Sequence, residues 1–500
     1  MKILIFGHLG HIDEYAEYIR ALKSVDSVQA LLVTMGPDEC ELGRKAGVFD
    51  AVKDILPSQA ELDAADTDRS AAIQSLQQLE ERLGSHFVNK DILMDRYFRG
   101  QPVIEVDPNS VPVTWNSART KQFMSLIYRR LEENMSQFDP DFILLEPVTA
   151  PFRMAWRLAH EKGVPSGKFM PVRFWPDRLY LEVGLGYDWH KARSAYHEMT
   201  ERPLTGEEAS KVKQRLRIIR DEKTKPTYLQ TDHAKGAPSF IKRLDASKLA
   251  LGLHAWLGMR AKTYTQNPHV LPGKTFSPIT KYARYRNGQK AKRYLLKHQT
   301  PFDKIKKGKY AMYFLHVQPE VTVDGMAFDY QDQENTIRNI LASLPADMDL
   351  VVKEHSPMLG FRPLEAYTQL AHMPGVILAE THEDSHKLIT HASVVVTLTS
   401  TVALEAILYG IPAVVLGSIY FDSFNGIYKP ETLNELKELL AHPERLAGAT
   451  EEDAVRTLGA MLRASSPGRP PRGDTWMLRE VDDESAKMMM SALKSECGLA

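Results

Sequence analysis

The chain has 500 residues, two cysteines, 43% hydrophobic and 25% charged residues, and a formal net charge of −1. That length exceeds one compact core and suits two large domains, and the balanced charge excludes a global field directed at nucleic acid or an acidic polymer. Cys40 and Cys497 lie near opposite ends, which excludes a disulfide framework and points to the cytoplasm.

The opening MKILIFGHLGH has a short apolar run without the long apolar region of a signal peptide, and predicts a strand at Lys2–Phe6. No apolar stretch reaches the roughly eighteen residues of a spanning helix, so any membrane contact is expected to be peripheral. A glycine turn with Gly7 and Gly10 follows, then an amphipathic segment, Asp13–Leu22, and a strand, Val28–Thr34. Strand, turn, helix and strand begin a doubly wound parallel sheet. Gln59–Leu83 has helical spacing. Phe142–Leu145 predicts a buried strand, Arg153–His160 a helix, and Gly163 its stop.

From about Pro203 to Lys309 the periodicity is helical and the composition polar. A second α/β series starts at Tyr310. Strands are expected at Tyr310–Leu315, Leu350–Lys353, Val376–Leu378, Val394–Leu398 and Ala413–Leu416. Helices are expected at Gln333–Leu344, Leu364–His372, Ser385–Ala392, Thr401–Tyr409 and Leu433–Ala441. Ser465–Asp474, rich in Pro, Gly and Arg, reads as an exposed loop. The expected organisation is thus a Rossmann-like domain over 1–202, a basic helical insert over 203–309, a second Rossmann-like domain over 310–430, and helices with a tail over 431–500. Two such domains facing a cleft make the α/β architecture known as GT-B. Ligands in such sheets sit beyond the carboxyl ends of the strands.

Three strand ends of the second domain carry polar clusters. LHVQPE brings His316, Gln318 and Glu320. VVKEHSP brings Lys353, Glu354 and His355. TLTSTVALEA brings Thr399, Ser400 and Thr401, with Glu405 one turn into a helix. Hydroxyls and backbone N–H groups at a helix start suit a phosphate, and Lys353 with His355 suits a leaving phosphate's charge. Glu405 suits a ribose hydroxyl, and Gln318 and Glu320 a base or sugar. Each cluster has a plainer use, as an N-cap or a solvated loop.

These motifs, with LITHASVVVTLTSTVALEAILYGIPAVVLG and the following YFDSF, resemble the capsular polysaccharide synthesis family, which includes bacterial Kdo transferases. The resemblance covers about 310–425 and implies a GT-B fold, a nucleotide-activated donor in the C-terminal domain and no catalytic metal or other cofactor. Gln318, Glu320, Lys353, His355, Ser400, Thr401 and Glu405 fall on family motif positions. The sequence departs from the family in having His355-Ser356-Pro357 where His-Pro is common, and Ser400 where glycine is frequent.

In the first domain Glu146 ends a strand and is a candidate base, with a loop carboxylate as the alternative. His11, like His8, follows the first strand and is a candidate catalytic residue facing the cleft. Arg173 and Arg178 in PVRFWPDRLYL match an arginine pair of the family and suit a carboxylate or phosphate; a surface ion pair with Asp177 or Glu182 is the alternative. HEDSH (382–386) fits a zinc pattern, but Asp384 or Ser385 reads as a helix N-cap that leaves His382 outside, so no metal is expected. Residues 242–309 hold seventeen Lys and Arg against Asp245 and Asp303. Peripheral contact with an anionic membrane is the functional expectation there, nucleic acid is not, and a solvated linker is the plain reading.

The expectation is therefore a metal-independent glycosyltransferase using a nucleotide-sugar donor, such as a CMP-activated Kdo-like acid, and a glycan or lipid-linked glycan acceptor. Its rivals are a nucleotide-sugar epimerase or hydrolase of the same fold, and a non-catalytic subunit of a polysaccharide assembly complex.

Overall fold

A strand buried on both faces needs apolar residues at every position, and the first strand shows why Lys2–Phe6 reads as a continuous apolar run. Ile3 and Ile5 pack into one hydrophobic cluster while Leu4 and Phe6 pack into another, on the opposite face. The computed structural model describes residues 1–7, 11–58, 61–62, 69–95, 98, 117–146, 148–184, 188–222, 278–318, 320–471 and 478–499. His8, Gly10 and all of residues 242–277 of the basic interval lie outside the described residues.

The described residues divide into two α/β units. The first contains β1 (Lys2–Phe6), β2 (Gln29–Thr34), β3 (Ala51–Asp54), β4 (Phe142–Leu144), β5 (Ser166–Val172) and β6 (Trp175–Val183). Its strand order is β3-β2-β1-β4-β5-β6. Pairing is parallel as far as β5, and β6 folds back antiparallel on it. The helix Ala150–Glu161 stops as expected at Gly163, which takes φ 68° and donates to His160 O at 3.1 Å.

The second unit contains β7 (Tyr310–Phe314), β8 (Asp349–Lys353), β9 (Val376–Ala379), β10 (Val394–Thr397), β11 (Ala413–Val415) and β12 (Ile427–Tyr428). All pairs are parallel, in the order β9-β8-β7-β10-β11-β12. Both units therefore carry the doubly wound order 3-2-1-4-5-6, in which the chain reverses direction across the sheet beside the first strand. The two doubly wound, Rossmann-like units read from the sequence are the ones found. The second unit also takes in residues 190–222 and extends to 464. The helix Glu451–Arg463 starts on a capping box, Thr450 with Asp453, and packs on the helices His190–Glu198 and Gly206–Asp221.

The C-terminal residues, expected as a tail, belong to the first unit. Ser466–Pro467 forms β13, antiparallel to β6 at the sheet edge, so the Pro/Gly/Arg-rich stretch is not wholly an exposed loop. An edge position tolerates Pro467 because a proline has no N–H to donate. The helix Asp483–Glu496 then lays Met489, Met490 and Leu493 into the cluster of Ile12, Tyr15 and Ile19. Among the described residues no helix is long and apolar enough to cross a membrane.

Candidate functional site

In the second unit the reversal point lies between β7 and β10, and the chain leaves both strands through polar residues. His316 follows β7, and its Nε2 lies 3.1 Å from Thr397 Oγ1 at the end of β10. Thr397 Oγ1 also accepts from the Ser400 N–H at 3.4 Å. The His316 peptide is fixed by Gln333, whose Oε1 accepts from His316 N at 2.8 Å and whose Nε2 donates to His316 O at 3.2 Å. Burial first, then the charges of His355 and Arg362, push His316 down to about 3, so it is a neutral imidazole near pH 7.

β8 delivers the next group. Lys353 Nζ lies 3.3 Å from Ser385 Oγ, and the residue is largely buried. His355 is pushed down to about 4 by burial, then by Lys353 and Arg362, and its Nδ1 is buried without a hydrogen-bond partner. That atom is one an incoming ligand oxygen or N–H would satisfy. Between them Glu354 turns inward, where Arg362 Nε and Tyr367 OH each donate to its Oε2 at 2.7 Å. Glu354 thereby anchors the loop while its neighbours remain at the strand end.

The other candidates have more local duties. Thr399 is buried and its hydroxyl donates to Thr322 O at 2.9 Å, tying β10 to the short helix Val321–Asp324. Gln318 donates to Gln331 O at 2.7 Å and accepts from Gln333 at 2.6 Å. Glu320 caps that same short helix and accepts from Thr322 Oγ1 at 2.8 Å. Ser400 Oγ accepts from Val402 N at 3.3 Å, and Thr401 occupies the N-cap position without a side-chain cap bond. Glu405 is buried one turn into the helix Val402–Leu408. Gly417 packs against this corner: a Cβ there would meet Thr399 Cγ2 at 2.5 Å and Met326 O at 2.9 Å. The structure thus gathers His316, Lys353, His355, Thr397 and Ser400, and turns Gln318, Glu320 and Thr399 into supports. Arg362 and Gln333 were not read from the sequence, because each acts through partners far along the chain.

The first unit has a different centre at its own reversal point, between β1 and β4. Glu146 follows β4, and its Oε2 is 3.0 Å from Lys168 Nζ on β5. The same ammonium is 3.3 Å from Glu14 Oε1, and Glu14 Oε2 is 2.9 Å from His11 Nδ1. His11 and Glu14 belong to the start of the helix Ile12–Val25, which Gly7 lets approach the sheet: a Cβ on Gly7 would meet Ile12 and Leu32 side chains at 2.9 Å. Burial works against the charge of Lys168, but Glu146 and then Glu14 hold it well above the usual lysine range. Burial likewise opposes the Glu14 charge, yet Lys168 and His11 leave it below its ordinary value.

Glu182 on β6 pairs in register with Lys168. Burial, then repulsion from Glu146, raise its carboxyl to about 8, so it is largely protonated near neutrality. Arg173 lies in the tight β5–β6 turn, where Phe174 takes φ 67°, and its charge acts on Glu182. Arg178 does not join this centre: its Nε donates to Ser465 Oγ at 2.7 Å, and its Nη2 donates to Ser465 O, beside β13. Asp177 pairs with Arg469. In HEDSH, Asp384 caps the helix Ser385–Ile389, accepting from His386 N at 3.1 Å, so the helix starts after His382. Among the described residues no group of three or more His, Cys, Asp or Glu side chains is placed to hold a metal ion.

Residues 267–456 match the model of the family described as capsule polysaccharide biosynthesis protein. No curated protein matches the chain. Among solved structures, the β-Kdo 2,4 transferase of KpsC from Thermosulfurimonas dismutans is 13% identical, with 64% of this chain and 78% of that one covered at a TM-score of 0.34. The S. aureus MnaA–UDP co-structure is 12% identical over 100% of this chain and 97% of that one, at a TM-score of 0.29. The UDP-GlcNAc 2-epimerase of Neisseria meningitidis bound to UDP-GlcNAc is 11% identical over 92% and 98%, at a TM-score of 0.27. The fold follows from the strand order of the two sheets. The match at 267–456 spans β7 to β12 and every polar cluster at their ends.

Proposed function

We propose that this chain is a glycosyltransferase that moves a sugar from a nucleotide-activated donor to a bacterial surface polysaccharide or glycolipid, without a metal. The donor phosphate is met by Lys353 and by the Nδ1 face of His355, with Ser400 and its backbone beside them. Glu146, 3.0 Å from Lys168, removes the proton of the acceptor hydroxyl. A CMP-activated Kdo-like acid is the donor class this reading favours, in a cytoplasmic setting. The observation that carries the reading is the bridge of His316 to Thr397 across the β7–β10 reversal, with Lys353 and His355 at the adjoining strand end, inside the segment that matches the capsule family.

Titration calorimetry with CMP, UDP and GDP tests it. One nucleotide is expected to bind, and Lys353→Ala to weaken it roughly 10- to 100-fold, the worth of one charge-assisted hydrogen bond. Wild-type protein indifferent to all three nucleotides would remove the proposal. A second reading, a nucleotide-sugar epimerase, draws on the Glu14, Glu146 and Glu182 carboxyls around Lys168, which suit proton abstraction and return. Incubation with donor alone separates the two: an epimer appears only under the second.

A further inference from the structure

The helix Pro278–His298 carries seven Lys and Arg and no acidic residue. Its inward face is fixed by Gly288, Ala291 and Leu295. Ala291 and Leu295 belong to the core of the second unit, and Gly288 lies so close to the backbone of Gly360 that a Cβ would meet its carbonyl oxygen at 2.2 Å. That approach leaves no room for the helix to roll. At about 100° per residue, the inward three fall within roughly 60° of one another, and Arg286, Lys290, Arg293 and Lys297 fall within roughly 60° on the opposite side. All four are exposed, and among the described residues none of them makes an ion pair. Leu296, beside the stripe, is 43% exposed.

We infer that this stripe docks the second unit on the surface of an anionic phospholipid bilayer. Ordinary solvent-facing helices interleave charges of both signs at i, i+3 and i+4, where each cation finds a partner. Here four cations at i, i+4, i+7 and i+11 form a straight line about 16 Å long with no counter-charge on their helix. A rigid line of cations matches a flat anionic surface, which supplies counter-charge all along it, and Leu296 offers an apolar contact at the same level. The inference rests on charge and exposure alone, not on the enzymatic reading.

The test is co-sedimentation of the full chain with vesicles of phosphatidylcholine, and with vesicles containing roughly one-third phosphatidylglycerol. Binding is expected only to the anionic vesicles, with release at high salt. The variant R286E/K290E/R293E/K297E is expected to lower the bound fraction roughly tenfold or more, and K290E/R293E to give an intermediate loss. Circular dichroism melts confirm that both variants fold, since none of the four side chains is in the core. Equal sedimentation with both vesicle types, or unchanged binding by the fourfold variant, overturns the inference. So does a wild-type chain that ignores vesicles but binds soluble dextran sulfate through the same four residues, which would make an acidic glycan the occupant. Protein that binds anionic vesicles but no nucleotide would keep this inference and remove only the proposed function.

Discussion

The two sheets share one strand order, yet the chain gives their reversal points opposite electrostatic character. In the first unit Glu14, Glu146 and Glu182 surround a single buried ammonium, Lys168. In the second, two histidines kept neutral by burial stand with one lysine and several hydroxyls. A doubly wound sheet fixes where a ligand meets the backbone and leaves the chemistry to the residues just past the strands. The acidic centre is suited to moving protons, and the second, with Lys353 beside neutral histidines, to holding an anion.

If that division of labour is right, substitutions in the two centres should separate binding from turnover. The largest expected effect is in Glu146→Gln, which keeps the shape and removes the charge. Turnover should fall roughly 10²- to 10⁴-fold, the usual contribution of general acid–base catalysis, with nucleotide affinity nearly unchanged. Lys353→Ala should do the reverse at equilibrium and weaken the nucleotide first. Steady-state rates on a glycan acceptor, set beside calorimetric affinities, read both. A Glu146→Gln protein that transfers at the wild-type rate would break the comparison.

Stability should separate them next. Lys168 is flanked by two carboxylates at 3.0 and 3.3 Å, with only 10% of its side chain exposed. Lys168→Met leaves Glu14 and Glu146 facing each other without their shared cation. Removing one partner of a buried ion pair costs on the order of 3–5 kcal/mol, most of it the penalty of the stranded charge. Guanidinium titration of variant and wild type measures it. A loss under about 1 kcal/mol would mean that the carboxyls simply take up protons, as Glu182 already does.

The sequence carried the second centre more clearly than the first, for physical reasons. Fully buried parallel strands need unbroken apolar runs, so β7, β8, β10 and β11 announced themselves, with polar residues bunched just beyond. The helices Leu364–His372 and Leu433–Ala441 were legible to the residue from their apolar periodicity. What the sequence hid were pairings between distant positions. Lys168 carries no signal of its own in the sequence, and only the β4–β5 neighbourhood brings it to Glu146. Glu182 read as a surface partner for an arginine until β6 folded back to place it across from Lys168. Likewise Ser465–Asp474 has loop composition, yet Ser466–Pro467 finds an open sheet edge, which no local propensity encodes. Gln318 and Thr399 were correctly placed at strand ends, but their polar atoms serve the loops that hold His316 and Ser400.

The smallest effect, and the finest test of the comparison, is the pH dependence of stability. His316 and His355 are pushed down to about 3 and about 4 from an ordinary value of 6.5, so between those limits the unfolded chain binds more protons than the folded one. Their contribution is present above about pH 6.5 and is lost as pH falls, at up to about 1.4 kcal/mol per pH unit for each group. Glu182 has the opposite sign: raised from 4.5 to about 8, it binds its proton more tightly in the folded chain. Its contribution is complete below about pH 4.5 and is lost as pH rises toward 8, with the same limiting slope. Differential scanning calorimetry from pH 4 to 9 should therefore show an acid limb that flattens in His316→Asn with His355→Asn, and an alkaline limb that flattens in Glu182→Gln. Between about pH 4.5 and 6.5 the two contributions overlap with opposite slopes, so Glu182→Gln should steepen the acid limb there, whereas the histidine pair leaves the limb above pH 6.5 unchanged. If either substitution flattens both limbs, the two centres do not titrate as separate units. The opposite charges of the two reversal points would then be a coincidence of composition, without separate roles behind them.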